Sequence, residues 1–424
     1  MVQTVKKPEE RTAVRERELR ETKDEAVGAS QIGPFDYCPR LGFREYWYPG
    51  IWAKNVGKKK PAKVKMLGED LVFFRGKTGQ VVALTDWCPH RGARLSKGVS
   101  DFPGTITCPY HGYVFNETGQ CVAGLIEAVK SPLAAKLRSR KYPTAEHRGI
   151  VFVWMGETEP VPLEEDLPWE FKDPGMRITN YSRTKVWGTN WTEPIWQGID
   201  YHEFYLHRTL KIWNLLHYRL PFFRRKAVVT NGVRIVEEGD NFLTTRQENI
   251  EYGQKEYAGL GKWPRHVWWR VLGKSPPAEG RFGWYHNVQL PTIVRVPLGG
   301  ASHMRWGVPM SDWETRMWTF TITERPKTIF GRVWQDGWYW LYRRHYGVIA
   351  INENEDFPIF SEGQINPDIP QKLGILDLGV IYFRRHLARR ARDFKRLGGA
   401  HGCVKQPPDP QKVAEWRAKA KETR

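Results

Sequence analysis

Two short cysteine–histidine motifs limit the folds open to this chain more than any other feature. They read Cys88-Pro89-His90 and Cys108-Pro109-Tyr110-His111. Each motif supplies one thiol and one imidazole, and a glycine follows each of them closely. Four such ligands are typical of a metal centre, so the fold must bring the two motifs together on paired loops.

Two kinds of metal centre accept two cysteines and two histidines. Zinc binds all four around one ion, whereas a [2Fe-2S] cluster can have two cysteines on one iron and two histidines on the other. A zinc finger of this composition has a cysteine pair followed by a histidine pair on a helix. Here each loop carries one residue of each type, and the flanking residues are strand-like. The pattern favours the cluster, with all four residues as its ligands.

Small and rigid residues flank these ligands. Pro89 and Pro109 stiffen the two loops. Gly92 and Gly112 are expected to let the backbone approach the cluster and to supply N–H donors to its sulfur atoms. We therefore expect both loops to fit closely around a cluster.

Strand and helix patterns divide the chain into two folded domains. Short β-rich runs such as Leu71–Phe74 and Val81–Leu84 surround the motifs and predict a small all-β domain. Later strand-like runs mix with helix-like stretches, which is typical of an antiparallel sheet with packed helices, and the predicted fold class is α+β. The helix-like stretches lie at 194–210, 327–343 and 375–397. The predicted parts are a charged arm at 1–40, the cluster domain at 41–162, a second domain at 163–398 and a tail at 399–424.

The formal net charge of +19 is locally strong in a basic run at 384–392. This run is predicted to form an amphipathic helix, whose basic face is either simply solvated or docks an acidic protein such as a ferredoxin. Nucleic acid is not favoured as a partner, because no zinc-finger or helix-turn-helix pattern accompanies the run.

Cysteine use and hydropathy predict a reduced, cytoplasmic setting. The five cysteines are an odd and sparse set, unlike a secreted disulfide framework. The first residues are charged, and no apolar run approaches about 18 residues, so neither a signal peptide nor a transmembrane helix is expected.

A histidine pair in a helix-like stretch predicts a second metal site. His202 and His207 lie five residues apart, and two histidines with one carboxylate can bind a non-haem iron while leaving positions open for oxygen. Residues five apart differ by about 140° around a regular helix. The two histidines can therefore share a metal only if the helix is distorted, for example by a π-type bulge, or if one lies near its end. The spacing is one residue longer than the H-E-x-x-H pattern of zinc peptidases.

Both sites together carry a family resemblance. The segments Trp87–Ala93 and Cys108–Gly112 resemble the Rieske domain of ring-hydroxylating oxygenase α-subunits, as does Leu41–Pro49. The branch that the chain resembles contains the oxygenase components of carbazole dioxygenase, oxoquinoline monooxygenase and ketosteroid hydroxylase. The resemblance extends over most of residues 40–395 and is strongest in the Rieske domain.

The resemblance implies a mononuclear Fe(II) held by His202, His207 and a carboxylate from a later helix. The matching segment is 352–360. In the family an apolar residue stands three positions after the acid, and Asp356, followed by Ile359, fits this pattern best. The neighbouring acids Glu355 and Glu353 are the competing candidates.

The family also places an acid just before the first histidine. Hydrogen bonds through this acid link the Rieske histidine of one subunit to the mononuclear site of the next. Asp200 is the nearby match, although it lies two residues before His202 rather than the usual three. Because the bridge forms between neighbours, the resemblance implies a ring, namely a homotrimer.

The activity implied by the resemblance is that of a terminal oxygenase. Such a subunit receives electrons from a ferredoxin or an NAD(P)H-dependent reductase and uses O2 to hydroxylate a small apolar aromatic, heteroaromatic or polycyclic substrate, by mono- or dioxygenation. N- or O-demethylation is the alternative within the family. Three alternatives outside this activity are a pure electron-transfer Rieske protein, a zinc-stabilised binding module and a membrane-associated enzyme of haem or chlorophyll metabolism.

Overall fold

The structure is a computed structural model that describes residues 38–127, 131–180, 185–200, 232–248, 286–297, 301–341, 356–362, 371–373 and 377–393. Several predictions fall outside these residues and concern the histidine pair, the two competing acids, the charged arm and the C-terminal tail. The residues concerned are His202, His207, Glu353, Glu355, 1–37 and 399–424.

Ten strands of the described residues form the motif-bearing part. They are β1 (Trp47–Trp52), β2 (Ala62–Met66), β3 (Glu69–Arg75), β4 (Val81–Thr85), β5 (Thr105–Thr107), β6 (Tyr113–Asn116), β7 (Cys121–Gly124), β8 (Lys141–Tyr142), β9 (Thr144–His147) and β10 (Ile150–Trp154). They pair into three small antiparallel sheets, with strand orders β2-β3-β4-β8, β5-β6-β7 and β1-β10-β9. The predicted all-β region is confirmed.

Strand β3 separates two hydrophobic cores. Successive side chains of a strand point to opposite faces, and here both faces are buried. Leu71 and Phe73 belong to the larger core of the molecule. Val72 and Phe74 belong to a smaller core that also contains the two motif cysteines. The continuous apolar run of β3 is thus explained by burial on both sides.

The second part of the described residues contains a single eight-stranded sheet. Its strands are β11 (Met176–Asn180), β12 (Lys185–Trp187), β13 (Gly232–Glu238), β14 (Phe242–Glu248), β15 (His286–Gln289), β16 (Ile293–Pro297), β17 (Ser302–Ser311) and β18 (Glu314–Glu324). The order is β11-β18-β17-β16-β15-β14-β13, with β12 also paired to β18, and the pairing is antiparallel. The predicted α+β class is confirmed.

Five α-helices of the described residues accompany this sheet, and three of them pack on its strands. They are α1 (Leu163–Asp166), α2 (Trp169–Lys172), α3 (Thr192–Trp196), α4 (Ile329–Leu341) and α5 (Leu378–Arg390). α3 continues into a 3-10 turn, Gln197–Ile199, and contacts β16 and β17. α5 packs on β13 and β14. A π-helical turn occupies Pro358–Glu362.

The basic run of α5 is largely engaged within the molecule. Arg384 and His386 are buried, and Arg389 pairs with Glu238 of β13 at 3.0 Å. Just beyond the helix, Arg392 pairs with Asp166 at the end of α1 at 2.7 Å. These internal contacts leave the basic run with less free positive charge than its sequence pattern indicated. The pattern did not show this, because the acidic partners lie far away in the chain. Among the described residues, no helix has the length and apolarity to cross a lipid bilayer.

Candidate metal centres

The four predicted cluster ligands meet on two facing loops. The first loop follows β4 and the second connects β5 to β6. Nδ1 of His90 lies 3.1 Å from Nδ1 of His111, and the thiols of Cys88 and Cys108 share a hydrogen bond. Both cysteines are buried, whereas both histidines are partly exposed. Thiol therefore faces thiol on the buried side, and imidazole faces imidazole on the open side.

Each loop is closed by a backbone hydrogen bond to its glycine. Gly92 N–H donates to the Cys88 carbonyl at 2.9 Å, and Gly112 N–H donates to the Cys108 carbonyl at 3.1 Å. Both glycines have a positive φ, +72° and +68°, which favours a residue without Cβ. The expectation that these glycines donate to sulfur is wrong, because their N–H groups close the turns.

The donors to sulfur come from the residues inside each loop. The backbone N–H groups two and three residues after each cysteine hydrogen-bond to its sulfur and lower its pKa. The hydrogen bond from Cys88 is the main cause that lowers the pKa of Cys108 to about 6. A thiolate is the form that ligates metal, so this arrangement favours the ligating state of Cys108, while the same hydrogen bond with Cys108 raises the pKa of Cys88.

The donor arrangement fits a binuclear cluster better than one ion. A single tetrahedral zinc needs all four donors around one point. Across the described ranges, no three His, Cys, Asp or Glu side chains converge closely enough to hold one ion. Two facing pairs, one of sulfur and one of nitrogen, match a cluster with two differently ligated irons.

Aromatic residues surround the histidine side of this site. The Tyr113 ring lies edge-on to His90, with 4.9 Å between centroids, and its hydroxyl donates to Glu127 at 2.5 Å. That hydrogen bond is the first cause that raises the pKa of Tyr113 to about 12, so the hydroxyl stays protonated. Tyr110 stacks on His111 at 3.7 Å and is itself exposed. The histidines are therefore reached from solvent past a tyrosine.

The two acids predicted for the mononuclear site lie in different settings. Asp200 ends the 3-10 turn after α3, and its N–H donates to the Gln197 carbonyl at 3.1 Å. Asp356 is completely buried and lies two residues before the π-helical turn. π-type distortion had been expected near the histidine pair, which lies outside the described residues. Here it occurs beside the candidate carboxylate.

A buried arginine that the sequence did not single out contacts Asp356. Nη2 of Arg305, on β17, lies 3.4 Å from Oδ2 of Asp356. The same guanidinium donates to Oε1 of Gln197, and its Nε donates to Nε2 of His303 at 3.3 Å. Burial, followed by the charge of Arg305, holds the pKa of His303 well below its usual value, which keeps this acceptor neutral.

A second buried carboxyl lies on the helix that leads to Asp200. Glu193 of α3 is almost fully buried, and burial raises its pKa to about 7 against the lowering effects of Arg384 and Gln371. Nε2 of Gln371 donates to Oε1 of Glu193 at 3.3 Å, and Gln371 in turn accepts from Arg384. Asp200 adds a further small raising effect. The buried carboxyl therefore changes charge near neutral pH.

The raised pKa of Glu193 predicts a pH-dependent cost to stability. Below about pH 4.5 both the folded and the unfolded chain hold the proton, and the cost is absent. Between about pH 4.5 and 7 only the folded chain holds it, so folded stability falls as pH rises. Glu193→Gln should remove this loss of folding free energy. The loss is roughly 3 kcal/mol, at about 1.4 kcal/mol for each unit by which the pKa is raised.

Thermal melting between pH 4.5 and 8 checks this prediction. Glu193→Gln should gain on the unchanged chain steadily up to about pH 7 and then keep a constant lead. Glu146 is exposed on β9, and Glu146→Gln should follow the unchanged chain throughout. A Glu193→Gln curve parallel to the unchanged chain at every pH would contradict the prediction.

Comparison with known proteins identifies the family. Residues 46–133, which contain all four motif ligands, match the family model of the Rieske [2Fe-2S] domain. The chain is 33% identical over 348 residues to carbazole 1,9a-dioxygenase terminal oxygenase component CarAa from a Sphingomonas species, covering 77% of this chain and 84% of that protein. It is 32% identical over 301 residues to CarAa from Metapseudomonas resinovorans, covering 68% and 75%.

Solved structures share the fold. The terminal oxygenase of carbazole 1,9a-dioxygenase from Nocardioides aromaticivorans superposes with a TM-score of 0.63 at 21% identity, covering 85% of this chain and 98% of that one. A 2-oxoquinoline 8-monooxygenase component gives 0.64 at 22% identity, covering 86% and 89%.

The chain therefore belongs to the Rieske non-haem iron ring-hydroxylating oxygenases, as a catalytic α-subunit. It is an oxidoreductase, and its Rieske domain is of the [2Fe-2S] type. The family, the enzyme class and the cluster expected from the sequence are confirmed.

Proposed function

We propose that this chain is a terminal oxygenase that receives electrons from a ferredoxin and oxygenates an apolar aromatic or heteroaromatic substrate. The observation that carries the proposal is the presence, in one chain, of a meeting point for four Rieske ligands and a fully buried acid, Asp356, at the predicted second site. Its CarAa relatives, named as terminal oxygenase components, support the same function.

Two metal sites divide the work in this proposal. Cys88, His90, Cys108 and His111 would hold the cluster, and His202, His207 and Asp356 would hold one Fe(II). When bound, the cluster would supply electrons and the Fe(II) would supply the chemistry that activates O2. The chain's own contribution is to fix the ligands, orient the substrate and exclude water.

Electron delivery would come from a ferredoxin, itself reduced by an NAD(P)H-dependent reductase. Several neighbouring structures are described as complexes of a carbazole 1,9a-dioxygenase oxygenase with a ferredoxin. In this chain the two histidines lie on the open side of the cluster site. The exposed Tyr110 ring stacks on His111, and the exposed Leu125 lies beside Gly112, the residue after His111. An exposed apolar surface of this kind suits a protein partner.

We infer that the subunits form a homotrimer in which Asp200 connects the two metal sites. Asp200 would join the Rieske histidine of one subunit to the mononuclear site of the next by hydrogen bonds. Its position at the end of the 3-10 turn, just before the histidine pair, supports this role. The mass of the assembly in solution tests the trimer.

Asp200→Asn should slow electron transfer between the sites while both metals stay bound. Loss of an outer-shell carboxylate typically costs 10–100-fold, so turnover should fall at least about 10-fold. Single-turnover mixing of the reduced protein with substrate and O2 measures the cluster's oxidation rate. Asp240→Asn, a change to a surface acid paired with Arg390, is the control. An unchanged rate in Asp200→Asn would contradict the bridging role.

A product assay tests the oxygenase proposal and its alternative. The protein is supplied with a surrogate ferredoxin and reductase, NADH and ¹⁸O₂, and is offered carbazole, 2-oxoquinoline and N- or O-methylated aromatic compounds. Incorporation of labelled oxygen into a ring supports hydroxylation, and the number of labelled atoms separates mono- from dioxygenation. Release of formaldehyde would support demethylation. Absence of any O2-dependent product and of substrate-stimulated O2 uptake would count against the proposal.

A further inference from the structure

We propose that Arg305 is the positioning residue of the mononuclear iron site. Arg305 orients the Asp356 carboxylate and connects it to the segment that precedes the histidine pair. The inference rests on the proposed ligand role of Asp356. It assigns a role to a strand residue that lies fifty-one positions before that carboxylate in the chain.

Three structural elements meet at the Arg305 guanidinium. Arg305 itself lies on β17, a strand with neighbours on both sides. Nη2 pairs with Oδ2 of Asp356 at 3.4 Å, next to the π-helical turn. Nη1 donates to Oε1 of Gln197 and approaches the Pro194 carbonyl to 3.5 Å, both in α3 and its 3-10 extension. One side chain thus fixes the distance between two segments that are separate in sequence.

Burial makes this contact energetically important. The Arg305 side chain is 3% exposed and the Asp356 side chain 0%. A buried carboxylate without a compensating charge is strongly disfavoured, and removal of one partner of a buried pair is costly. Arg305 is held on a further side by the neutral acceptor His303. The guanidinium cannot turn away from Asp356 without breaking several contacts at once.

The contact bears directly on metal binding. A metal-binding carboxylate must present its oxygen in one direction, and the groups that hold ligands from behind are worth about 10–100-fold in metal affinity. Arg305 contacts the Oδ2 side of Asp356. Arg305 also donates a hydrogen bond to Gln197, which precedes Asp200 by three residues and His202 by five. Arg305 therefore sets the carboxylate relative to the start of the histidine-bearing segment.

A neighbouring ion pair provides a matched control. Arg295 lies on β16, next to β17, and pairs with Glu170 of α2 at 3.1 Å. This pair is also buried, with side-chain exposures of 11% and 1%. Glu170 is not a candidate ligand. Arg295→Gln therefore breaks a comparable pair in the same sheet without touching Asp356.

The test is an anaerobic Fe(II) titration of protein from which the mononuclear iron has been removed. The Rieske absorption spectrum reports on folding, and a competing chelator gives the affinity. We expect Arg305→Gln to weaken Fe(II) binding about 10–100-fold and Arg295→Gln to leave it nearly unchanged. Arg305→Lys keeps the charge but loses the planar fork, so its Fe(II) affinity should lie between those of Arg305→Gln and the unchanged chain. Adding Arg305→Gln to Asp356→Asn should cause no further loss.

Each outcome has a separate meaning. Equal affinity in Arg305→Gln and Arg295→Gln would overturn the role of Arg305 while leaving the ligand assignment intact. Full Fe(II) affinity in Asp356→Asn would instead overturn the proposed ligand on which the inference rests. If Arg305→Gln loses its Rieske spectrum, the folded Arg305→Lys decides the question, and unchanged affinity in that variant would overturn the inference.

Discussion

Asp356→Ala is expected to lose the mononuclear iron and to lower O2-dependent product formation by more than about 100-fold, since outer-shell changes alone cost 10–100-fold. The Rieske spectrum should remain, because the cluster cysteines belong to the smaller core on one face of β3, whereas Phe357, the neighbour of Asp356, packs against a separate hydrophobic cluster. Asp356 is fully buried, and its Oδ2 lies 3.4 Å from Nη2 of Arg305. A solvated acidic turn would have neither property. Iron analysis, the visible spectrum and product formation are measured on the same sample.

The competing acids supply the controls for this variant. Glu355→Ala and Glu353→Ala should keep their iron and most of their activity. If either of them lost the mononuclear iron while Asp356→Ala kept it, the carboxylate ligand would have to be reassigned.

Cys88→Ser is expected to abolish the visible absorption of the cluster and all electron delivery. A structural metal centre contributes to the folding of its domain, so the variant should also melt at a lower temperature. Cys121→Ser is a matched control, since Cys121 is a buried cysteine in the same small core and donates to the Ala123 carbonyl at 3.4 Å. It should remain coloured and active.

Visible and paramagnetic resonance spectra of the two cysteine variants distinguish the alternatives. A coloured, reducible Cys88→Ser protein would show that the ligand set is wrong. Loss of colour in Cys121→Ser, with Cys88→Ser unaffected, would place that cysteine on the cluster instead.

The cluster site could be predicted from sequence because its chemistry is local. Each motif supplies its ligands within a few residues, and its glycine has the positive φ that the loop requires. The source of the N–H donors to sulfur could not be predicted. That detail depends on which amide closes the turn, and the amides of Gly92 and Gly112 do so.

The polar residues of the second site escaped prediction for a different reason. β17 carries His303 and Arg305, so its sequence pattern is not that of an apolar strand. Both side chains are nevertheless buried. Their partners, Gln197 and Asp356, lie far away in the chain, and only tertiary structure brings them together.

The pairing of the basic run in α5 was also beyond sequence reasoning. The run was predicted to present either a solvated or a docking face, and Glu238, Asp240 and Asp166 pair with three of its arginines from about 150 residues away or more. The choice of Asp356 among three neighbouring acids came from family resemblance alone. Its complete burial gives that choice a physical basis, while the histidine pair stays a prediction.

Metal and inorganic sulfide analysis of the purified chain tests most directly whether one chain holds both sites. We expect about three irons and two sulfides per chain, a brown protein and negligible zinc. Two irons per chain would indicate a pure electron-transfer protein. Zinc without visible absorption would indicate a zinc-stabilised binding module. Either result would contradict the presence of both metal sites in one chain.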